Sequence, residues 1–151
     1  TLRRLFVEGN NRPGLLVDEA HNLVDRSREM FSASLFKQPL LELCRALKPH
    51  LPGLSRQLGR MNTLLATARR ESRQAGGELA AAAPPETLLE QLTLFLRSAE
   101  RWLLKNIKTP FREDLLALFF GGMRFLQVAD LYDRGYATLL VNHADDFEIK
   151  L

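Results

Sequence analysis

Cysteine and long apolar runs are what this sequence has least of. The chain of 151 residues contains one cysteine, Cys44, which excludes a disulfide framework and is typical of a reducing cytoplasm. No apolar run approaches the roughly 20 residues that span a bilayer, and the N-terminal segment lacks the apolar core of a signal peptide. We therefore expect a cytoplasmic protein with no membrane partner. The apolar fraction of 46% predicts a folded core of about one domain.

Several patterns of catalytic and ligand-binding residues are missing as well. The sequence has no Gly-x-x-x-x-Gly-Lys-Ser/Thr loop to hold phosphates. No His/Cys/Asp cluster has the spacing of metal ligands, and no Ser-His-Asp order suggests nucleophilic catalysis. His50 and His143 stand alone and are expected to be surface or capping residues.

Positive charge is concentrated in one part of the chain. Residues 45–73 contain seven basic side chains and one acid, a net charge of +6, whereas the whole chain carries +3. Most of these cations are arginines, and several fall off the apolar stripe of a predicted helix. Such a segment either contacts phosphates or is a solvated helix face.

Residues 15–21 carry the most specific chemistry in the chain. Three apolar residues, Leu-Leu-Val, predict a short buried strand, and Asp18 and Glu19 follow at its end. A carboxylate at this place can hold Mg²⁺, directly or through water, and a second can orient or deprotonate an attacking water. The motif therefore indicates a nucleoside-triphosphate site. The alternative is an acidic helix start, which acids also favour.

This segment resembles a known helicase motif. Residues 15–23, Leu-Leu-Val-Asp-Glu-Ala-His-Asn-Leu, are similar to the Walker B (DEAH, motif II) sequence of superfamily 2 helicases. Asn22 and the phrase that continues to Met30 resemble the XPD/DinG-like branch of iron–sulfur DNA helicases. In that family, motif II leads into an inserted, largely helical Arch domain, and the chain then returns to the motor domain and motif III.

The resemblance implies a function and roles for individual residues. It implies an ATP-dependent DNA helicase that translocates 5′→3′ on single-stranded DNA and unwinds duplexes, with a role in DNA repair. Asp18 would coordinate Mg²⁺, Glu19 would position the hydrolytic water of ATP, and His21 would couple the ATP state to neighbouring motifs. Arch domains of this family lie beside the DNA path and also bind protein partners.

Other parts of such a helicase are absent from this sequence. There is no motif III and no Arg-rich motif VI, and an iron–sulfur cluster needs four cysteines where this chain has one. Cys44 comes after motif II, whereas the family's cluster ligands precede it, so we expect an ordinary helix residue. The chain also begins at Thr1 without Met. We therefore expect a fragment of a larger helicase, inactive by itself, with the cluster cysteines elsewhere in the parent.

The apolar periodicity predicts a mainly α (α+β) fold. We expect about five helices in the Arch-like domain, a short strand at motif II and a C-terminal β-hairpin formed by residues 136–143 and 147–151. Residues 75–85 are expected to be an exposed loop or disordered, and Gly121-Gly122 to permit a close helix crossing or a kink. Thr109-Pro110 is expected to cap a helix.

The resemblance also implies three domain segments. Residues 1–34 would belong to the motor domain with the DEAH motif, residues 35–134 would form the helical insertion, and residues 135–151 would return to the motor domain as the hairpin.

Two readings remain that do not use the motif. In one, the chain is a helical nucleic-acid-binding module that contacts phosphates without reading bases. Its candidate DNA-binding residues are Arg56, Arg60, Arg69, Arg70 and Arg73. In the other, it is a helical protein-interaction module. Both can also hold within the helicase reading.

Overall fold

The computed structural model describes residues 20–105 and 108–151. Its contacts divide the chain into two compact units, residues 1–30 and residues 31–151, and each is described by itself. In the first unit, a 3-10 turn at Ala20–Asn22 leads into helix α1, Leu23–Met30. The helix predicted after motif II is therefore present and ends at Met30. The strand predicted at residues 15–18 lies outside the described residues.

Within residues 31–105 and 108–151, the second unit contains four helices. Each carries apolar residues at steps of three and four on its buried face, as an amphipathic helix requires. The helices are α2 (Lys37–Leu47), α3 (Pro52–Gln74), α4 (Glu86–Leu103) and α5 (Arg112–Ala129). Pro52 stands in the first turn of α3, where its missing N–H costs no intrahelical hydrogen bond.

Four short strands of the same unit form one antiparallel sheet. They are β1 (Ser34–Phe36), β2 (Glu78–Ala81), β3 (Thr138–Asn142) and β4 (Phe147–Lys150), in the order β1-β4-β3-β2. The predicted C-terminal hairpin is therefore confirmed as β3–β4. The mainly helical α+β fold with five α-helices in the described residues is confirmed as well.

A row of apolar residues crosses the sheet and joins it to the helices. Leu35, Ile149, Leu140 and Leu79 are successive partners on β1, β4, β3 and β2, so their side chains share one face. Helix α3 contacts β3 and also packs between α2 and α4. The core thus includes fully buried residues from every helix of this unit: Leu40 and Leu47, Leu58, Met61 and Leu65, Leu92 and Phe95, Leu115 and Phe125.

The expectation of an exposed or disordered loop at residues 75–85 is wrong for residues 78–81, which form strand β2. Helix α3 ends in a Schellman turn, in which Gly77 N–H donates to Ser72 O (2.8 Å) and Gly76 N–H donates to Arg73 O (3.2 Å). Gly76 and Gly77 have φ of +101° and +109°, a conformation that favours glycine. The turn directs residues 78–81 alongside β3, where backbone pairing makes them strand β2 despite their weak strand propensity.

Two further expectations concern helix α5. Gly122 allows a close crossing of α4, because a Cβ there would lie 3.0 Å from a methyl of Leu92 and 3.1 Å from one of Leu96. The predicted close crossing is thus confirmed. The predicted cap is wrong: α5 begins at Arg112 after Phe111, and the Thr109 side chain makes no cap hydrogen bond.

Candidate nucleic-acid interface

The motif residues fall mostly outside the part of the chain that the structure describes. His21 is exposed in the 3-10 turn. Asp18 and Glu19, with the Mg²⁺ contact predicted for Asp18, lie outside the described residues. The roles of all three in ATP hydrolysis stay predictions.

Three arginines of α3 form one exposed line. At about 100° per residue, Arg60 and Arg70 lie within about 40° of Arg56 around the helix, and all three are exposed. Thr63 and Thr67 are exposed between them. At 1.5 Å per residue the line is about 21 Å long. We call Arg56, Arg60 and Arg70 the arginine stripe.

The stripe is opposite the buried face of the same helix. Leu58, Met61 and Leu65 lie about 140–200° from Arg56 around the axis, and each is 0% exposed. Packing of this apolar face against α2 and α4 therefore fixes the direction in which the arginines project. The stripe is a consequence of the helical period and of which face is buried.

The other two predicted arginines have different surroundings. Arg69 is half-buried, and its Nε donates to Asn142 Oδ1 on β3 (3.3 Å). Arg73 is exposed, but it lies about 100° from Arg56 around the helix. The structure therefore brings together three of the five residues and commits Arg69 to the sheet.

The arginines of the stripe form no ion pair with a carboxylate among the described residues. Among residues 20–105 and 108–151, none of the five predicted arginines makes an ion pair, and Arg70 donates one hydrogen bond to Thr67 Oγ1 (3.3 Å). An exposed guanidinium without a carboxylate partner can make bidentate hydrogen bonds to a phosphate. The stripe is thus chemically suited to a polyanion.

The two ends of the second unit are side by side. Ala33 N–H donates to Leu151 O (3.2 Å), and Leu151 N–H donates to Ala33 O (2.9 Å), which extends the β1–β4 pairing. Ser34 Oγ donates to Glu148 Oε1 (2.5 Å), and His143 Nε2 lies 2.9 Å from Glu148 Oε2. Ala33, which precedes β1, and Leu151, which follows β4, are therefore neighbours on this side of the sheet.

Among the described groups at this edge, Glu148 has a clearly shifted pKa. Burial raises the pKa of its carboxyl, but the hydrogen bonds from Ser34 and His143 lower it, as do the charges of His143 and Lys150. The lowering contributions win, and the Glu148 pKa lies below its ordinary value.

The described residues of the second unit line clefts on its surface, of which two are considered. One, of about 440 Å³, lies between β1, α2 and α5, with the carboxylates of Glu42 and Asp114 on its wall. The other, of about 370 Å³, lies at the first turn of α3 and is lined in part by Gly53, Gln57 and Trp102. The sequence analysis did not identify Gln57 as a candidate. The one feature of the sequence that could have indicated it is a polar residue near the start of a basic helix.

Comparison with protein-family models, with curated proteins and with solved structures gave no match. Within the described ranges there is no group of three or more His, Cys, Asp or Glu side chains that could hold a metal ion. In the same ranges no helix has both the length and the apolar character that crossing a membrane requires.

Proposed function

We propose that this chain is the motif II and Arch-like segment of an ATP-dependent DNA helicase. The observation that carries the proposal is the sequence Leu-Leu-Val-Asp-Glu-Ala-His at residues 15–21, which resembles motif II of XPD/DinG-like helicases. In this proposal Asp18 holds the Mg²⁺ of ATP, Glu19 orients the attacking water, and His21 transmits the ATP state. ATP hydrolysis then drives 5′→3′ movement on a single strand.

The geometry of the second unit supports an insertion. The two segments that flank an inserted domain must lie side by side, and mutual hydrogen bonds join Ala33 of the proposed motor segment 1–34 to Leu151 of the returning hairpin 135–151. The pairing of β1 with β4 makes that junction a two-stranded stem. The same unit contains the helices that the resemblance assigns to the Arch.

The donor atoms of this chain decide which cofactors it can hold. The oxygens of Asp18 and Glu19 are ligands that Mg²⁺ prefers. An iron–sulfur cluster does not fit, because the single cysteine, Cys44, is half-buried in α2 and its Sγ donates to Ser55 O (3.2 Å). Any cluster of the parent helicase must use cysteines from outside these residues.

A Glu19→Gln substitution in the intact helicase tests the proposal. It removes the water-activating carboxylate and retains its shape, so we expect ATP turnover to fall roughly 10²–10⁴-fold while ATP binding is retained. Glu29→Gln on exposed α1 is the matched control. A turnover within a few-fold of the unmodified enzyme would show that Glu19 does not act on the water.

The isolated chain should have no ATPase activity. Phosphoryl transfer depends on positioning and charge stabilisation by several parts, and this sequence has no phosphate-binding loop. DNA-stimulated ATP hydrolysis by residues 1–151 alone would contradict the proposal.

The second candidate function is a nucleic-acid-binding module without ATP chemistry. The exposed arginine stripe favours it, because phosphate contacts give affinity for single-stranded DNA without sequence information. The two functions are distinguished by one comparison. Loss of DNA binding on reversal of the stripe, together with an unaffected Glu19→Gln enzyme, leaves only the binding module.

A third candidate is a surface for a protein partner. Phe120 is 65% exposed and Met123 is 39% exposed on α5, where the helix is apolar on more than its buried side. This face is compatible with the helicase proposal, since Arch domains of the resembling family bind proteins.

A further inference from the structure

The cleft at the first turn of α3 combines aromatic, polar and cationic features. It has a volume of about 370 Å³ and is lined by residues of α3, of the segment before it and of α4, among them Gly53, Gln57, Ser98 and Trp102. This volume lies in the range of small-ligand sites, roughly 300–1,000 Å³. A ligand of this cleft must match the chemistry of the residues that line it.

Two aromatic rings of the cleft lining pack on a third ring beside it. Phe111 is 8% exposed, and the ring centres of His50 and Trp102 each lie 5.5 Å from it, with interplanar angles of 29° and 35°. His50 and Trp102 also line the cleft. Two rings fixed by packing on a third give the cleft an aromatic lining that is held in place at little entropic cost. These rings come from residues that the sequence would assign to surface and core.

The polar wall has an unused acceptor. Gln57 Nε2 donates to Ser98 Oγ (3.2 Å), whereas Gln57 Oε1 has no hydrogen-bond partner among the described residues although it is buried. A buried acceptor without a partner destabilises the fold. The oxygen itself is buried, so it reaches the cleft only when the amide rotates and the Nε2 hydrogen bond to Ser98 breaks. A ligand with an N–H donor on a flat ring would satisfy it.

Cations adjoin the cleft on the same helix. Around α3, Arg56 and Arg60 lie within about 60° of Gly53, and Arg60 within about 60° of Gln57. The first turns of α3 therefore have the aromatic cleft on one side and the beginning of the arginine stripe on the adjacent side. This is the combination of stacking surface and phosphate contacts that single-stranded nucleic acids require.

We propose that this cleft binds a nucleobase. The base stacks on the aromatic lining formed by His50 and Trp102, and its exocyclic amino group donates to Gln57 Oε1. Arg56 and Arg60 contact the phosphates on either side. Binding of a base that belongs to a DNA strand rests on the proposed contact with DNA. The base can also come from a free nucleotide.

The single tryptophan of the chain makes the site directly observable. The full chain is titrated with a labelled deoxyadenosine oligomer, with an abasic oligomer of equal length, and with deoxyadenosine monophosphate. We expect the base-containing oligomer to quench Trp102 fluorescence and to bind roughly fivefold or more tighter than the abasic one. Quenching by the monophosphate at similar concentrations would assign the cleft to free nucleotides.

A blocking variant separates the cleft from the stripe. Nothing lies within 4 Å of a Cβ built on Gly53, so Gly53→Leu fills the cleft without disturbing the core. We expect it to abolish quenching and to leave the affinity for the abasic oligomer unchanged. Gly121→Leu, at a similarly open position in the other cleft, is the matched control. His50→Ala should weaken base-containing DNA roughly fivefold or more.

The outcomes separate this inference from the proposed function. If both oligomers bind equally and Gly53→Leu changes nothing, the arginine stripe binds DNA and the nucleobase site is wrong. If neither oligomer binds but the monophosphate quenches Trp102, the cleft stands and the proposed DNA contact fails. If no ligand changes the fluorescence or binds, both are overturned.

Discussion

The two ends of helix α3 use the same residue types for different purposes. At the N-terminal end, Arg56 and Arg60 are exposed, and the buried Oε1 of Gln57, beside an open cleft, has no hydrogen-bond partner among the described residues. At the C-terminal end, Arg69 bonds to Asn142 and the Ser72 hydroxyl is completely buried against the sheet. The difference shows that α3 has two kinds of polar side chain. Those of the exposed face, which include Arg70 next to Arg69, can bind a ligand, whereas Arg69 and Ser72 face the sheet and stabilise the fold.

Removal of the Ser72 hydroxyl should have the largest effect on stability. Its Oγ lies 2.8 Å from Gly77 O and 3.0 Å from Leu140 O as a donor, and accepts from Asn142 Nδ2 at 2.8 Å. Ser72→Ala leaves these buried groups short of a partner, so we expect a loss of about 2–3 kcal/mol in the free energy of unfolding. Urea denaturation measures it.

A serine at the other end of α3 is the control for that prediction. Ser55 is 7% exposed, and its Oγ donates one hydrogen bond to Cys44 O (2.8 Å). Ser55→Ala should cost about 1 kcal/mol. Equal losses for Ser55→Ala and Ser72→Ala would show that the two ends of the helix do not differ in the way the contacts indicate.

Reversal of the arginine stripe should have the largest effect on DNA binding. Each phosphate contact adds roughly 0.7 to the salt slope for a single strand, so Arg56→Glu, Arg60→Glu and Arg70→Glu together should flatten the slope by about 2. We expect binding of all sequences to weaken roughly tenfold or more at low salt, with the free energy of unfolding unchanged. A salt titration of single-strand binding measures both quantities.

The matched triple variant changes net charge equally at exposed sites away from the stripe. It is Arg45→Glu, Arg97→Glu and Arg134→Glu. If both triple variants bind single-stranded DNA with the slope of the unmodified chain, the stripe is only a solvated face. Equal weakening by both would mean that net charge alone governs binding.

The features that could be predicted from the sequence are those set by residues close together along the chain, such as helices and the hairpin. Apolar residues three and four positions apart located α3 and its buried face, and a change of pattern located the hairpin. It could not separate Arg69 from Arg70, because the partner of Arg69 is Asn142, 73 residues away along the chain. The second cleft is equally nonlocal, since the packing of its aromatic lining joins residues 50, 102 and 111. Strand β2 was missed because its pairing with β3 outweighs its own weak propensity.

Adjacent arginines give a sharper and smaller test of the same contrast. Arg69→Gln removes the bond to Asn142, whose Nδ2 still donates to Ser72 and Gly77, so we expect a loss of about 0.5–1 kcal/mol in stability. Arg70→Gln should leave stability unchanged and lower the salt slope by roughly 0.7. The two variants have the same net charge. Interchanged results would place Arg69 on the binding surface and contradict the division of α3.

The smallest expected effect distinguishes the two edges of the sheet by pH. At the β1–β4 edge, the pKa of Glu148 is lowered in the folded protein, so its charged form stabilises the fold above the pKa of the unfolded chain. That contribution is lost as the pH falls through the folded pKa, which lies below the ordinary glutamate value. At the Ser72 edge, the hydrogen bonds join hydroxyl, amide and backbone groups, which do not titrate there. We therefore expect the stability difference between the unmodified chain and Glu148→Gln to shrink from pH 7 to pH 3, while the difference caused by Ser72→Ala stays constant. Urea midpoints across this range measure both, and a constant difference for Glu148→Gln would mean that its charge does not stabilise the stem.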